Sequence, residues 1–171
     1  TTKYEDVMEA NKLGAFIYFT CQGHLFMQAG EEYGRTKFGD GNSYRSHPEI
    51  NMMRWEQTVE FSDLLDYYKG LITLRKRMPG LCDKSKEAKD RITKRTVHGK
   101  KLVSFHVDNA IDSELFVIYN ANDSEQTVPM PAGEWTVVAD KFSTDCKKAP
   151  VLTKDGELIV PPVCGMMLEK K

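Results

Sequence analysis

Six short runs rich in β-branched and aromatic residues follow one another in the second half of this 171-residue sequence. In order, they are KLVSFHVD, ELFVIYNAN, QTVPMP, EWTVVAD, APVLTKDG and ELIVPPVCGMMLEK. Turn-forming residues separate them, including Asn122-Asp123-Ser124, Ala132-Gly133 and Asp155-Gly156. Short strands at this density favour an antiparallel β-sandwich, which we expect over residues 81–171.

The first half has helical periodicity instead. Residues 4–20 predict a helix that ends near Thr20, with an apolar face made of Val7, Met8, Leu13, Phe16 and Ile17. The run FSDLLDYYKGLITLRKRMPG predicts a second helix, capped by Ser62 or Asp63 and stopped by Pro79-Gly80. A charged stretch over residues 83–101 interleaves basic and acidic side chains, and we interpret it as a solvated linker rather than a nucleic-acid patch.

Between the two helices lie a short apolar run and a long loop. The run GHLFMQAG, residues 23–30, is bounded by glycines and predicts a buried strand. Residues 31–58 have no sustained period, and loops of that length are usually functional or disordered. A single helix-strand-loop-helix piece cannot close a parallel sheet, so residues 1–80 resemble a part of something larger. The predicted fold class is α+β, with the β-sandwich after the helical part.

Charge and cysteine usage exclude several classes of function. Basic residues number 24 and acidic residues 25, so the net charge of -1 gives no field to attract nucleic acid or an anionic membrane. The longest apolar stretch, LGAFIYFT, is too short for a bilayer, and without a signal-peptide pattern we expect a chain that begins mid-protein or is already processed. Four cysteines lack CxxC spacing, which predicts free thiols, no metal and no cofactor. The compartment stays unresolved, with the cytoplasm favoured over secretion.

The adjacent Glu31 and Glu32 are the tempting catalytic acid and base. A glycosidase needs two carboxyl groups that face one bond, whereas neighbours at a strand end point to opposite faces. We therefore predict a structural role, in which one carboxylate is bonded to local backbone or an arginine and the other lies at a rim. The histidines, Ser43 and the loop glycines also lack the spacing of a catalytic or phosphate-binding motif.

The loop nevertheless carries many donors and acceptors that match sugar hydroxyls. They are Arg35, Lys37, Asp40, Asn42, Ser43, Tyr44 and Asn51, with Tyr33, Tyr44 and Trp55 available for stacking. We interpret Trp135, in GEWTVV, as a residue of the sandwich core rather than as a stacking platform for a sugar ring.

A family resemblance covers nearly the whole chain. The run AGEEYGRTKFGDGNSYRSHPEIN, with Trp55 four residues on, resembles the segment after the last barrel strand of type I pullulanases, members of the alpha-amylase family. DYYKGLITLRKRMPG is similar to the final barrel helix of that family, and LFVIYNAN, MPAGEWTVVAD and VPP are similar to its C-terminal β-domain. Gln28 and Arg54 stand where the family usually has histidine and aspartate.

The resemblance implies a C-terminal fragment of a retaining, bacterial-type debranching glycoside hydrolase. Residues 1–80 would be the last part of a (β/α)8 barrel, and 81–171 the β-sandwich packed on it. The catalytic carboxylates would lie on earlier barrel strands, so the fragment itself would have none and would be inactive. The substrate-binding residues implied are Arg35, Asp40, Asn42, Tyr44 and Asn51, and the partner is an α-glucan such as pullulan, glycogen or amylopectin.

Two other classes remain open. The chain could be a non-catalytic glucan-binding module, which predicts sugar affinity without turnover, or a protein-interaction sandwich, which predicts neither. If the strand at 24–29 lacks its barrel neighbours, its unpaired edges also predict a dimer or a strand swapped between chains.

Overall fold

The computed structural model describes residues 4–110 and 112–171 of the chain, with side chains from residue 7 onward. Five α-helices occur in these ranges: α1 (Tyr4–Thr20), α2 (Pro48–Asn51), α3 (Gln57–Glu60), α4 (Ser62–Lys76) and α5 (Pro79–Cys82). Three 3-10 turns, Glu31–Tyr33, Ser43–Arg45 and Ala88–Arg91, lie between or after them. The two long helices confirm the predictions from periodicity.

Eight strands make up most of the second half. They are β1 (Ile92–Gly99), β2 (Leu102–Asp108), β3 (Glu114–Asn120), β4 (Gln126–Pro129), β5 (Thr136–Ala139), β6 (Thr144–Lys148), β7 (Glu157–Val160) and β8 (Cys164–Lys170). Six form one antiparallel sheet in the order β1-β2-β3-β8-β5-β6, and β4 pairs with β7 in a second, two-stranded sheet. The predicted α+β class with an antiparallel β-rich second half is confirmed.

The large sheet is covered on both faces. Successive side chains of a strand point to opposite faces, and each face packs against a different layer. On β3, Leu115 and Val117 join α1 and α4 in one hydrophobic cluster. Phe116 and Ile118 point the other way and pack with β4 and β7 in a second cluster. The sheet is therefore the middle layer, between a helical layer and a small β-sheet.

The helical layer and the sheet share one core. The first cluster combines α1 and α4 side chains such as Phe16 and Leu71 with sheet residues such as Val107 and Met167. Burial of a large apolar side chain stabilises by about 1.5–3 kcal/mol. The two halves of the chain therefore contribute to the same hydrophobic stabilisation.

Several local predictions were wrong. Residues 24–28 form no strand in the described ranges, and their side chains alternate between exposed and half-buried, so the predicted buried strand is wrong. The charged stretch after residue 83 is not a linker throughout, since β1 lies in it as an edge strand with mostly exposed side chains. β6 is an additional strand, whereas residues 149–156 contribute only an isolated bridge at Leu152.

Helix α4 also begins differently from the prediction. Its N-cap is Phe61, and neither Ser62 nor Asp63 caps it through a side chain. Asp63 instead accepts a hydrogen bond from Lys12 of α1 at 2.9 Å. Within the described residues, no helix has the length and apolar character needed to cross a membrane.

Candidate functional site

The loop that connects α1 to α4 opens with a tight turn. Gly30 and Gly34 flank the 3-10 turn Glu31–Tyr33 with φ values of 103° and 71°, the left-handed region that favours glycine. A Cβ at residue 30 would also lie 2.6 Å from Arg35 Cδ. Arg35 N donates to Gly30 O at 2.9 Å, which closes the turn. Glycine is therefore needed at position 30 both for its conformation and for the approach of Arg35.

The two glutamates do not form a facing pair. Glu32 Oε2 accepts a hydrogen bond from Gly30 N at 2.8 Å, while Glu31 is exposed. They lie in a 3-10 turn rather than at a strand end, and successive side chains of that turn diverge by about 120°. The prediction that one carboxylate binds local backbone is confirmed.

Asn51 lies at the centre of a hydrogen-bond network in the loop. Its Oδ1 accepts from Lys37 Nζ at 2.5 Å and from Ser43 Oγ at 3.0 Å. Its Nδ2 donates to Ser43 O at 2.7 Å and to Ser46 O at 3.5 Å. Its carbonyl oxygen accepts from Arg35 Nη2, and Arg35 Nη1 reaches Ala29 O at 3.0 Å. Two of the predicted site residues, Arg35 and Asn51, are thus joined directly.

Asp40 organises the tip of the loop. Its Oδ1 accepts from Asn42 N at 2.9 Å, and its Oδ2 accepts from Ser46 Oγ. The Ser46 hydroxyl, followed by the Asn42 amide, stabilises the carboxylate and lowers the pKa of Asp40. Asp40 and Asn42 are therefore also brought together, with the Asn42 side chain exposed.

The loop contains one buried aromatic ring, that of Tyr33, and three exposed ones, those of Phe38, Tyr44 and Trp55. Tyr33 is 2% exposed, so its predicted availability for stacking is wrong, and burial raises the pKa of its phenol. Its ring packs 5.9 Å from that of Trp55, which is 66% exposed. Tyr44 projects from the 3-10 turn Ser43–Arg45 and is 72% exposed, with the Arg45 guanidinium 5.1 Å from its ring centroid.

Of the residues predicted to bind sugar, Asn42, Tyr44 and Trp55 therefore face outward, while Arg35, Asp40 and Asn51 form hydrogen bonds within the loop. Sequence reasoning assigned no role to Ser46, although a serine two residues before the helical turn Pro48–Asn51 offered a weak signal. The inward direction of Asn51 had no signal in an aperiodic segment.

The remaining chemical candidates lie elsewhere and have structural surroundings. Trp135 is 6% exposed and packs against Phe116 and His106, as expected of a sandwich residue. His106 Nδ1 lies 2.6 Å from Glu114 Oε1 inside the same part of the sheet. The four cysteines are free thiols. In the part of the chain that is described, no three His, Cys, Asp or Glu side chains cluster as a metal site would require.

Comparison with known proteins shows which proteins this chain resembles. A family model described as "Pullulanase, all-beta domain" matches residues 100–143. The pullulanase of Bacillus subtilis (strain 168) is 40% identical over 68 residues, which is 40% of this chain and 10% of that protein.

Solved structures extend the match to nearly the whole chain. A pullulanase from Bacillus acidopullulyticus superposes with a TM-score of 0.88 at 28% identity, covering 99% of this chain and 21% of that one. A pullulanase from Paenibacillus barengoltzii in complex with maltohexaose and alpha-cyclodextrin gives a TM-score of 0.83 at 30% identity, with coverages of 98% and 26%. The chain thus spans about a tenth to a quarter of the length of these relatives. The chain is therefore similar over nearly its whole length to one region of solved pullulanases, and its residues 100–143 match the all-beta domain found in pullulanases.

Proposed function

We propose that this chain acts as part of a pullulanase-type glycoside hydrolase that cleaves α-1,6 branches of pullulan, glycogen or amylopectin. In this proposal residues 1–80 are the last part of a (β/α)8 barrel, and residues 81–171 are a β-domain packed on it. The loop over residues 30–55 forms part of the rim of the substrate cleft. The partner is a neutral α-glucan, which is compatible with the net charge of -1.

The observation that carries the proposal is the match of 99% of the chain to a pullulanase structure at a TM-score of 0.88. A fold alone does not imply an activity, so the site must support it as well. The loop does so, because it presents exposed amide and aromatic groups on a hydrogen-bonded frame. Pullulanases crystallised with maltooligosaccharides support the same class of ligand.

Within this proposal the five predicted residues act at the cleft in two ways. Asn42 and Tyr44 contact the glucan, because Tyr44 offers an exposed ring for stacking and Asn42 an exposed amide. Arg35, Asp40 and Asn51 line the same cleft and hold those two in place through the bonds described above.

The chain by itself has no turnover in this proposal. Retaining glycosidases need two carboxyl groups about 5–5.5 Å apart on either side of the scissile bond. Glu32 is engaged with the Gly30 amide, and Glu31 diverges from it. In barrel enzymes the catalytic groups come from the ends of several strands, and the proposed acids belong to strands upstream of this chain.

The test compares the purified 171-residue chain with the longer protein that contains it. We expect the longer protein to release reducing ends from pullulan and the chain alone to release none. In the longer protein, Tyr44→Ala should raise KM about three- to tenfold, as expected for the loss of about 1 kcal/mol of aromatic contact. Phe142→Ala is the matched control, since Phe142 is 73% exposed but lies on the β5–β6 turn. Cleavage by the chain alone, or a longer protein inert toward α-1,6 bonds, would contradict the proposal.

A further inference from the structure

The hydrogen-bonding capacity of Asn51 is fully used inside the loop. An asparagine side chain has two N–H donors and one oxygen with two lone pairs. Lys37 Nζ and Ser43 Oγ occupy both acceptor sites, and the carbonyls of Ser43 and Ser46 take both donors. No group of this amide remains for a sugar hydroxyl.

The partners of Asn51 show what this network holds. Ser43 and Ser46 bracket the 3-10 turn that carries Tyr44, and Ser46 N also donates to Ser43 O at 3.0 Å. On its other side, the Asn51 carbonyl is bound by Arg35, which closes the turn at Gly30. Asn51 thus connects the entry turn of the loop to the turn that presents the exposed aromatic ring.

We infer that Asn51 is a positioning residue that fixes the 43–46 turn, so that Asn42 and Tyr44 face the glucan while Asn51 itself does not touch it. This inference rests on the proposed function, because it specifies how the same cleft acquires its affinity. If a loop becomes ordered only when its ligand binds, the conformational entropy that it loses weakens binding. A side-chain amide that orders the loop beforehand removes that entropic cost.

This role differs from a contribution to global stability. Neither Asn51 nor its partners Lys37, Ser43 and Ser46 belong to the two hydrophobic clusters of the core. The core should therefore keep its packing when the network is lost. The effect should be confined to the order of the loop and to ligand affinity.

Amide hydrogen exchange on the 171-residue chain tests the first step. In Asn51→Ala we expect the amides of Asp40, Asn42 and Ser46 to exchange about tenfold faster, as expected when hydrogen bonds worth about 1 kcal/mol or more are removed. Strand amides of β3 and β8 should not change, and the thermal midpoint should stay within about 2 °C. Asn51→Asp keeps both acceptor bonds but places a carboxylate oxygen against the carbonyls of Ser43 and Ser46 in place of the donor, so it should also accelerate exchange.

Asn42→Ala is the matched control in the loop. Its side chain is exposed, and its backbone bond to Asp40 survives the substitution, so exchange should be unchanged. Unaltered exchange in Asn51→Ala, or equal acceleration in Asn42→Ala, would overturn the inference.

Affinity in the longer protein tests the second step, with maltotetraose as the probe. Asn51→Ala should raise its Kd, and the KM for pullulan, about tenfold while kcat stays within about twofold, because the loss is in uniform binding. A rise in KM with kcat preserved is the signature of positioning, which a purely structural defect would not give. Wild-type affinity in Asn51→Ala would overturn the inference. A longer protein that neither binds nor cleaves the glucan would instead overturn the proposed function, while the exchange result on the loop would still stand.

Discussion

Phe16 of α1 lies directly on the backbone of Gly165 in β8. A Cβ at residue 165 would stand 2.1 Å from Phe16 Cδ1, a distance that real Cβ atoms do not adopt. Phe16 is completely buried, and its ring meets Tyr119 edge-on with centroids 6.1 Å apart. The helical layer can approach the sheet this closely because residue 165 has no side chain.

Gly165→Ala should therefore lower the free energy of unfolding by about 3 kcal/mol, because overpacking displaces a fixed ring. Urea denaturation followed by circular dichroism measures the change. Gly14→Ala is the control on α1 itself, where a Cβ would meet nothing within 4 Å. It should stabilise by about 1 kcal/mol through helix propensity. Equal effects of the two substitutions would contradict the packing of α1 on β8.

Arg75 of α4 holds the end of α1. Its Nη1 donates to Phe19 O at 2.7 Å and to Cys21 O at 2.5 Å, and its Nη2 donates to Gly23 O at 2.9 Å. Arg75→Met should lower the free energy of unfolding by about 2–4 kcal/mol. The reason is that part-buried carbonyls at the C-terminal end of α1 would lose their charged donor. The exposed neighbour Lys76→Met should change stability by less than about 0.5 kcal/mol in the same denaturation assay. If Arg75→Met lowered the free energy of unfolding no more than Lys76→Met does, this capping role would be contradicted.

The parts of the fold that the sequence predicted are those where burial imposes a pattern. β3 alternates between two buried faces, and α4 repeats its buried residues at helical spacing, so both were recognisable. β1 was missed because an edge strand with exposed Lys94 and Arg95 has no buried face to impose alternation. Residues 23–30 were assigned a strand from composition, but pairing depends on neighbours that composition does not contain.

The candidate site was likewise predictable from the sequence only in part. The composition of the loop predicted polar, sugar-compatible groups, and the local bond of Glu32 to Gly30 followed from chain proximity. Which side chains face outward depends on how the loop closes on itself. Tyr33 is buried beside Trp55, and Asn51 is bonded inward to Lys37 and Ser43, through contacts between residues 8 to 22 positions apart that no local sequence pattern encodes.

Tyr68 predicts a loss of stability at alkaline pH. Burial, followed by the charges of Glu31 and Glu32, raises the pKa of Tyr68 from 10.0 to about 12. The unfolded phenol ionises first, so the folded state binds more protons between about pH 10 and 12, and stability falls as pH rises through that window. Tyr68→Phe loses the bond to Asn11 Oδ1 at 2.9 Å and should be less stable at pH 7. Above pH 10 the free energy of unfolding of the variant should fall less steeply with pH than that of the wild type. The two slopes should differ by up to about 1.4 kcal/mol per pH unit. Parallel stability curves for the two proteins in urea titrations from pH 9 to 12 would contradict this.

The segment 24–28 predicts self-association of the isolated chain. Leu25 and Met27 pack on the helical core, whereas Phe26 faces outward and is 91% exposed. The segment pairs with no strand in the described ranges, and an unpaired apolar segment can act as a template for a second chain.

Sedimentation velocity over a range of concentrations should detect dimers of the 171-residue chain. Phe26→Asp should shift the distribution toward monomer, because it places a charge at the centre of the exposed edge. Phe142→Asp is the matched control, since it removes a ring that is 73% exposed on the β5–β6 turn and should leave the distribution unchanged. A wild-type chain that stays monomeric at every concentration would show that this edge is not used for association, and an equal effect of both substitutions would assign association to general surface hydrophobicity.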